Sequence, residues 1–198
     1  MKTTRAKPMP TEERQKAIVA AVTPLIAAYG SGVTTAAMAE AAGVAEGTIY
    51  SVFPDKRSLI IAAVRSALDP VVVQEAFSAI DPEAGLEGKL LAAAGVLVER
   101  IEQVMALFDA LRSIPGATDG SSRGHQFVAD AEVAVTASLT DLITPHAGEL
   151  AIEPKRVASA LRGLVLSARH PLLPEELHLT VDEAVAVLLR GVTIREGS

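Results

Sequence analysis

Residues 39–56, AEAAGVAEGTIYSVFPDK, decide the fold of this chain. Small side chains surround two glycines in this stretch, and a tyrosine, a phenylalanine and a lysine follow them. Two short helices that cross steeply need small residues where they touch, and Ala39 and Ala42 supply them. The tight turn between the helices needs a residue that tolerates positive φ, which Gly43 does without steric cost. The stretch therefore predicts a helix-turn-helix, in which the second helix is presented to the DNA major groove.

The predicted helix pair also needs an apolar surface that fixes it to neighbouring helices. Met38, Val44 and Ile49 have the spacing for such a surface. Their expected partners lie on the helices before and after the motif: Ile18, Val22 and Leu59. These segments together predict an N-terminal three-helix module.

The start of the second helix carries small or polar residues that let its backbone approach DNA: Ala45, Glu46, Gly47 and Thr48. Tyr50 and Ser51 follow on an adjacent face, and the hydroxyls of Thr48 and Tyr50 can reach phosphates. Lys56 begins the next helix, where an ammonium group and a helix N-terminus both favour a phosphate. Glu46 either accepts a hydrogen bond from a cytosine amino group or is solvated beside the phosphates.

The charge of the chain is unevenly distributed. Residues 1–65 carry eight Lys/Arg and five Asp/Glu, a net charge of +3, whereas the whole chain has a net charge of −6. A basic first third in an acidic protein indicates an N-terminal module that faces a polyanion. Chance segregation of charge is the alternative explanation at this point.

Composition limits the classes of protein that are possible. Nearly half of the 198 residues are hydrophobic and 21% are charged, which is typical of a globular chain. The chain has no cysteine, which excludes disulfides and thiolate nucleophiles and fits a reducing cytoplasm. We expect no secretory signal and no membrane span. The four histidines lack metal-ligand spacing and no catalytic fingerprint is present, so no enzyme, metal site or cofactor is predicted.

The spacing of alanine and leucine is helical and alternating strand patterns are absent, so the chain is predicted to be all-α. The first helix is expected from Thr11 to about Ala28, with a kink or a local break at Pro24. Its buried side is predicted to carry Ile18, Val22, Leu25 and Ile26. Further helices are predicted at residues 35–42, 44–53, 56–68, 70–79, 86–113, 124–144, 154–169 and 180–195.

One motif carries a family resemblance. The pattern T-T-x-x-M-A-x-A-A-G-V-x-x-G-T-I-Y-x-x-F-x-D-K-x-x-L, from Thr34 to Leu59, resembles the DNA-binding signature of TetR-family transcriptional repressors. Residues 11–30 resemble the first helix of that family. The resemblance implies a sequence-specific DNA-binding regulator, a repressor that a small hydrophobic effector releases from a near-palindromic double-stranded operator.

The resemblance also implies how the chain is divided. Residues 1–10 are expected to form a flexible basic arm and residues 11–68 the helix-turn-helix DNA-binding domain. Residues 69–198 are expected to form a helical ligand-binding and dimerisation domain.

Roles at the DNA interface follow from the same resemblance. It places Glu46 and Gly47 at the bases, and it places Thr48, Tyr50 and Lys56 on the backbone. Thr35 resembles the threonine of the family that contacts a phosphate, and Ala45 and Ser51 complete the expected surface. Two departures are apolar residues, at 36–37 and at Val52, where the family often carries polar side chains that contact DNA.

The resemblance implies a homodimer built on the last two helices, as a four-helix bundle across a twofold axis. The apolar residues expected at this interface are Leu161, Leu164, Val165, Ala168, Val185, Leu188, Leu189 and Val192. A helix that is apolar over a broad face has two surfaces to bury, which favours an interface there. Plain core packing is the alternative for this surface.

The middle helices of the family surround a ligand cavity. The side chains expected to line it here are Phe77, Met105, Phe108, Leu111, Arg112 and Phe127. An apolar pocket with a few polar groups is the usual pattern of a small-molecule site. Two alternatives stay open: an activator or nucleoid-type binder with the same DNA module, and a small all-helical carrier or enzyme that binds an apolar molecule. The basic N-terminal module argues against the second.

Overall fold

The computed structural model of the chain describes residues 11–114, 122–168, 176 and 178–193, and for residues 122–125 it describes the backbone alone. The predicted arm, residues 1–10, lies outside the described residues. The described ranges contain nine α-helices: α1 Thr11–Tyr29, α2 Thr35–Ala41, α3 Glu46–Val52, α4 Lys56–Ala67, α5 Pro70–Ser78, α6 Leu86–Arg112, α7 Ser122–Ile143, α8 Pro154–Ala168 and α9 Val181–Val192. Short 3-10 helices lie at Gly30–Gly32 and Thr144–Glu149. The all-α prediction is confirmed.

Of the kink or local break predicted at Pro24, the break does not occur, because α1 runs through this residue as one helix. The kink stays a prediction. Proline removes one backbone donor and so leaves the carbonyl of Ala20 without its usual partner. Ala20 is exposed, so water can satisfy that carbonyl. The preceding Thr23 is buried, and its hydroxyl donates to the carbonyl of Val19 at 2.7 Å. The turn before the proline is therefore satisfied from within the helix.

The packing divides the described chain into two units. The N-terminal unit comprises residues 11–67 together with 103–114, the C-terminal end of α6. In it α1 contacts α2, α3 and α4, and α2 contacts α3. Its core is formed by fully buried aliphatic side chains: Ile18, Val22, Ile26, Met38, Ile49, Leu59 and Ile60. Of the predicted core residues, Leu25 and Val44 are only half-buried.

The C-terminal unit comprises residues 68–102 and the described residues after 121. In it α7 contacts both α5 and α8, and α8 contacts α9. One aliphatic core runs through these helices, and Leu90, Leu139 and Leu161 are among its fully buried members. The predicted assignment of residues 69–198 to a separate domain stays a prediction, and the structure groups the end of α6 with the N-terminal unit.

Two arginines of the C-terminal unit lie in partly desolvated surroundings. Arg162 of α8 pairs with the carboxylate of Glu132 on α7, and it also donates to the carbonyl of Glu132 at 3.1 Å and to the hydroxyl of Thr136. Burial lowers the pKa of Arg162, and the positive charge of Arg100 lowers it further. Arg100 is buried and donates to the carbonyl of Leu68 at 3.3 Å. These bonds let two like charges share the interior of one unit.

The burial of α8 and α9 shows where the predicted dimer-interface residues lie within one chain. Six of the eight expected interface residues are buried within a single chain: Leu161, Val165, Ala168, Val185, Leu188 and Val192. Leu164 and Leu189 are half-buried and pack against the same core. The broad apolar face that the sequence shows therefore packs largely within one chain. A role for these eight residues in a dimer interface stays a prediction.

Substitution of two glycines in the helix-turn-helix should change stability in opposite directions. Gly43 has φ +63°, and a Cβ there meets no atom within 4 Å, so Gly43→Ala should cost about 1 kcal/mol through backbone strain alone. Gly47 lies within α3 with equally open space, so Gly47→Ala should stabilise by up to about 1 kcal/mol through helix propensity. Urea denaturation of both variants measures the difference, and effects of the same sign would contradict it.

Candidate DNA interface

The turn between α2 and α3 is closed by backbone hydrogen bonds around Gly43. Gly43 N–H donates to the carbonyl of Glu40 and Val44 N–H donates to the carbonyl of Ala39, both at 3.0 Å. This pair of bonds is a Schellman motif, which satisfies the last carbonyls of a helix and requires a left-handed residue after the C-cap. The positive φ predicted for Gly43 is confirmed. The direction in which the chain enters α3 is thereby fixed.

The start of α2 is fixed by a side-chain cap. The Thr34 hydroxyl accepts a hydrogen bond from Ala37 N–H at 3.2 Å. Such a cap satisfies one of the free amide groups at a helix N-terminus. Thr35, the next residue, is therefore the first residue of α2, and its position follows from that of the cap.

The first turn of α3 exposes small side chains. Ala45 precedes the helix and makes no side-chain cap, and Ala45, Glu46 and Gly47 are all exposed. Thr48 is half-buried, and Ser51 is exposed and donates its hydroxyl proton to the carbonyl of Thr48 at 2.8 Å. The backbone of this turn is thus accessible, with one carboxylate as its only acidic group.

Two predicted phosphate ligands from different helices meet at this surface. The hydroxyl oxygens of Thr35 on α2 and Tyr50 on α3 lie 3.1 Å apart, within hydrogen-bond distance. Tyr50 is 55% exposed although it is aromatic. Each hydroxyl can donate as well as accept, so the pair can be shared with an incoming acceptor. The structure therefore brings together two residues that lie fifteen positions apart in the sequence.

Lys56 occupies a position that the sequence does not reveal. Its Nζ donates to the carbonyl of Val33 at 2.5 Å and to the carbonyl of Ser31. Its helix begins with a reciprocal cap, in which Ser58 N–H donates to Asp55 Oδ1 at 2.7 Å and Asp55 N–H donates to Ser58 Oγ at 3.3 Å. The phosphate contact that the resemblance implies for Lys56 stays a prediction, and these two backbone acceptors use two of the three donors of the ammonium group.

The predicted pocket residues are distributed over both units. Phe77 is buried and lines a shallow pocket of about 280 Å³ between α5 and α7, together with Gln74, Ser78, Ser138, Asp141 and Leu142. Phe127 belongs to the same unit but is exposed. The other four belong to the N-terminal unit: Met105, Phe108, Leu111 and Arg112. Arg112 forms a surface ion pair with Asp109. A role for these six in ligand binding stays a prediction.

The family model for bacterial regulatory proteins of the tetR family matches residues 18–63, which extend from α1 into α4 and include the whole helix-turn-helix. Residues 18–63 thus resemble the matching segment of TetR-family transcriptional regulators. Members of that family are DNA-binding transcriptional regulators rather than enzymes. Regulators of the TetR family bind DNA operators and small-molecule effectors and usually dimerise.

Solved structures share the fold of this chain. A TetR transcriptional regulator from Streptomyces coelicolor is 22% identical with a TM-score of 0.62, and the match covers 90% of this chain and 98% of that one. A protein assigned to the TetR family from Mesorhizobium loti is 20% identical with a TM-score of 0.60, and the match covers 94% and 100%. Curated proteins give no match.

The described ranges of the chain also bear on two other kinds of site. Within them, no three His, Asp or Glu side chains are grouped so as to hold a metal ion. No helix in this part of the chain is both long and apolar enough to cross a membrane. The helix-turn-helix surface is the site at which the described residues bring together hydrogen-bonding side chains and an exposed helix turn.

Proposed function

We propose that this protein is a cytoplasmic, homodimeric repressor that places α3 in the major groove of a near-palindromic operator and leaves it when a small hydrophobic effector binds. The observation that carries the proposal is the Thr35–Tyr50 hydroxyl pair beside the exposed first turn of α3. Phosphate contacts position a protein on DNA, whereas contacts to base edges give it specificity. This surface offers groups for both tasks.

The proposed division of roles follows the geometry of the surface. The hydroxyls of Thr35 and Tyr50 form one donor group for a backbone phosphate, and Thr48 adds a half-buried hydroxyl nearby in sequence. Glu46 and Gly47 are exposed in the first turn of α3, where a recognition helix contacts base edges. Gly47 permits close approach because it has no side chain, and the Glu46 carboxylate accepts from a cytosine amino group.

Replacement of Glu46 and of Tyr50 should separate base recognition from phosphate binding. Glu46→Ala should relax the preference at one position of each half-site, a change of about 1–3 kcal/mol in discrimination. Tyr50→Phe should weaken binding to all sequences alike, since it removes only a hydroxyl from the phosphate-facing pair. The measurement is selection of bound sites from random duplex DNA by the wild-type protein, followed by titration of the selected and a scrambled duplex with both variants.

Two results would contradict these roles, one for each variant. If Glu46→Ala tightens binding to every sequence equally, Glu46 acts only as a repulsive charge near the backbone. If Tyr50→Phe changes the preferred sequence instead of the general affinity, its hydroxyl is not a phosphate ligand.

We propose that the second copy of the chain binds the outer face of α8 and α9. Leu166 and Val187 are large apolar side chains that are 54% and 53% exposed there. Gly163 and Gly191 lie on the same exposed sides, and a Cβ at either would meet no atom within 4 Å. Small residues allow helices to approach closely, and two operator half-sites require two DNA-binding modules. The outer face, unlike the buried one, is free to pair.

The double variant Leu166→Glu/Val187→Glu should be folded and monomeric, because it places charges on the proposed interface but not in the core. Val133→Glu is the matched control, since Val133 is 70% exposed on α7 and should leave the dimer intact. Leu161→Glu should instead unfold the unit, because it buries a charge at a fully buried position. Sedimentation velocity with circular dichroism measures both properties. A dimeric double variant would reject the outer-face interface.

We propose the effector site within the C-terminal unit, where Phe77 and Leu142 provide an apolar wall beside polar groups of α5 and α7. Apolar pockets with a few polar groups are typical of small-molecule sites. An effector that lowers DNA affinity must bind the DNA-incompetent state more tightly.

A hydrophobic compound that binds this site should raise thermal stability and lower DNA affinity together. At a concentration of about 100 times its Kd, the compound should stabilise the fold by roughly 2.7 kcal/mol. A thermal-shift screen of small hydrophobic molecules, followed by DNA titration with each hit, measures both effects. Compounds that stabilise the protein but leave DNA binding unchanged would favour a carrier.

A further inference from the structure

Lys56 binds the turn that follows α1, although it belongs to another helix. Gly30 has φ +64°, so the chain leaves the helical conformation of α1 there and forms the 3-10 turn Gly30–Gly32. The carbonyls of Ser31 and Val33, in and directly after this turn, both accept from the ammonium group of Lys56. The last turn of α1 contains no basic residue, so the cation at this turn comes from a position 25 residues after Ser31 in the chain.

The first position of α4 is an unfavourable place for a lysine on local grounds, because the N-terminal end of a helix repels cations. An ammonium group has three donors, and two of those on Lys56 are used by the carbonyls of Ser31 and Val33. Hydrogen bonds that involve a charged donor are about twice as strong as neutral ones. One donor remains for a phosphate, so most of the hydrogen-bonding capacity of this Nζ serves the residue 31–33 loop.

The segment that Lys56 holds is also tied through a side chain. The hydroxyls of Ser31 and Ser113 are hydrogen-bonded, and Ser113 donates to the carbonyl of Ala110 at 2.7 Å. Because Ser113 has one hydroxyl proton, Ser31 is the donor between the two serines. The loop directly before the Thr34 cap is thus bound by its backbone to α4 and by its side chain to the end of α6.

From these contacts we infer that Lys56 is a positioning residue for DNA binding: it fixes the residue 31–33 loop, and through the adjacent Thr34 cap it sets the Thr35 hydroxyl against that of Tyr50. Val33 is separated from Thr35 by one residue, so a shift of its carbonyl displaces the start of α2. The inference rests on the proposed DNA-binding role of the Thr35–Tyr50 pair, and it differs from direct phosphate binding by Lys56.

The decisive variant is Lys56→Met, which keeps the length of the side chain but removes its charge and donors. We expect affinity for a random-sequence duplex to fall roughly tenfold, a change of about 1.4 kcal/mol. The slope of log affinity against log salt should stay at the wild-type value, because no phosphate contact is lost. Lys16→Met, on the exposed face of α1, is the matched control for loss of one positive charge.

Two further readouts separate positioning from phosphate contact. In the Lys56→Met background, Tyr50→Phe should have little additional effect, because the hydroxyl pair is already misplaced, whereas independent phosphate ligands should give additive losses. In the free protein, amide exchange at Ala37 should be faster in Lys56→Met, since this amide is held by the Thr34 cap.

A salt slope that drops by about one for each subunit, with additive losses and unchanged exchange at Ala37, would overturn the inference and establish the phosphate contact. If Lys56→Met does not fold, Ser113→Ala loosens the same loop from its exposed side and should also speed exchange at Ala37; unchanged exchange would overturn the inference. Absence of salt-dependent duplex binding by the wild type would overturn the proposed function instead, and the exchange experiment would still test the tether.

Discussion

The left-handed backbone at Gly43 is the constraint on which the DNA surface depends. Two hydrogen bonds close α2 around this residue, and they leave one direction in which the chain can enter α3. That direction buries Ile49 against α1 and leaves Tyr50 exposed beside Thr35. A residue with a Cβ at position 43 would oppose this conformation by about 1 kcal/mol, a large fraction of the stability of a small module.

Much of the N-terminal unit could be predicted from the sequence because its determinants are local. A threonine cap, a glycine after the helix and an Asp55 cap act on neighbouring residues and have recognisable spacing. The position of Lys56 could not be predicted in this way, since its acceptors are backbone carbonyls that every residue carries. The only signal in the sequence is an absence, namely that α1 has no cation in its last turn.

In the C-terminal unit, the helical periodicity of apolar residues does not identify what the apolar face packs against. The apolar stripes of α8 and α9 predict a buried face, but a stripe does not say whether the partner belongs to the same chain. In the structure most residues of the stripe are buried in the internal core. Gly163, Gly191, Leu166 and Val187 lie outside the stripe and are exposed. The ion pair between Arg162 and Glu132 could also not be predicted, because an arginine in an amphipathic helix does not reveal which side chain it will contact.

The helix α6 belongs to both units of the chain. Its residues up to Glu102 pack with the C-terminal unit, and its last turns, with the buried Leu107 and Ala110, pack with the N-terminal unit. The N-terminal unit is therefore not contiguous in sequence. A chimaera that joins residues 11–67 of this chain to the second domain of a relative would also inherit the relative's α6, and its Ser31 would meet a foreign side chain in place of Ser113. Exchange of operator specificity between such regulators is thus limited by whether the end of α6 is transplanted along with the helix-turn-helix.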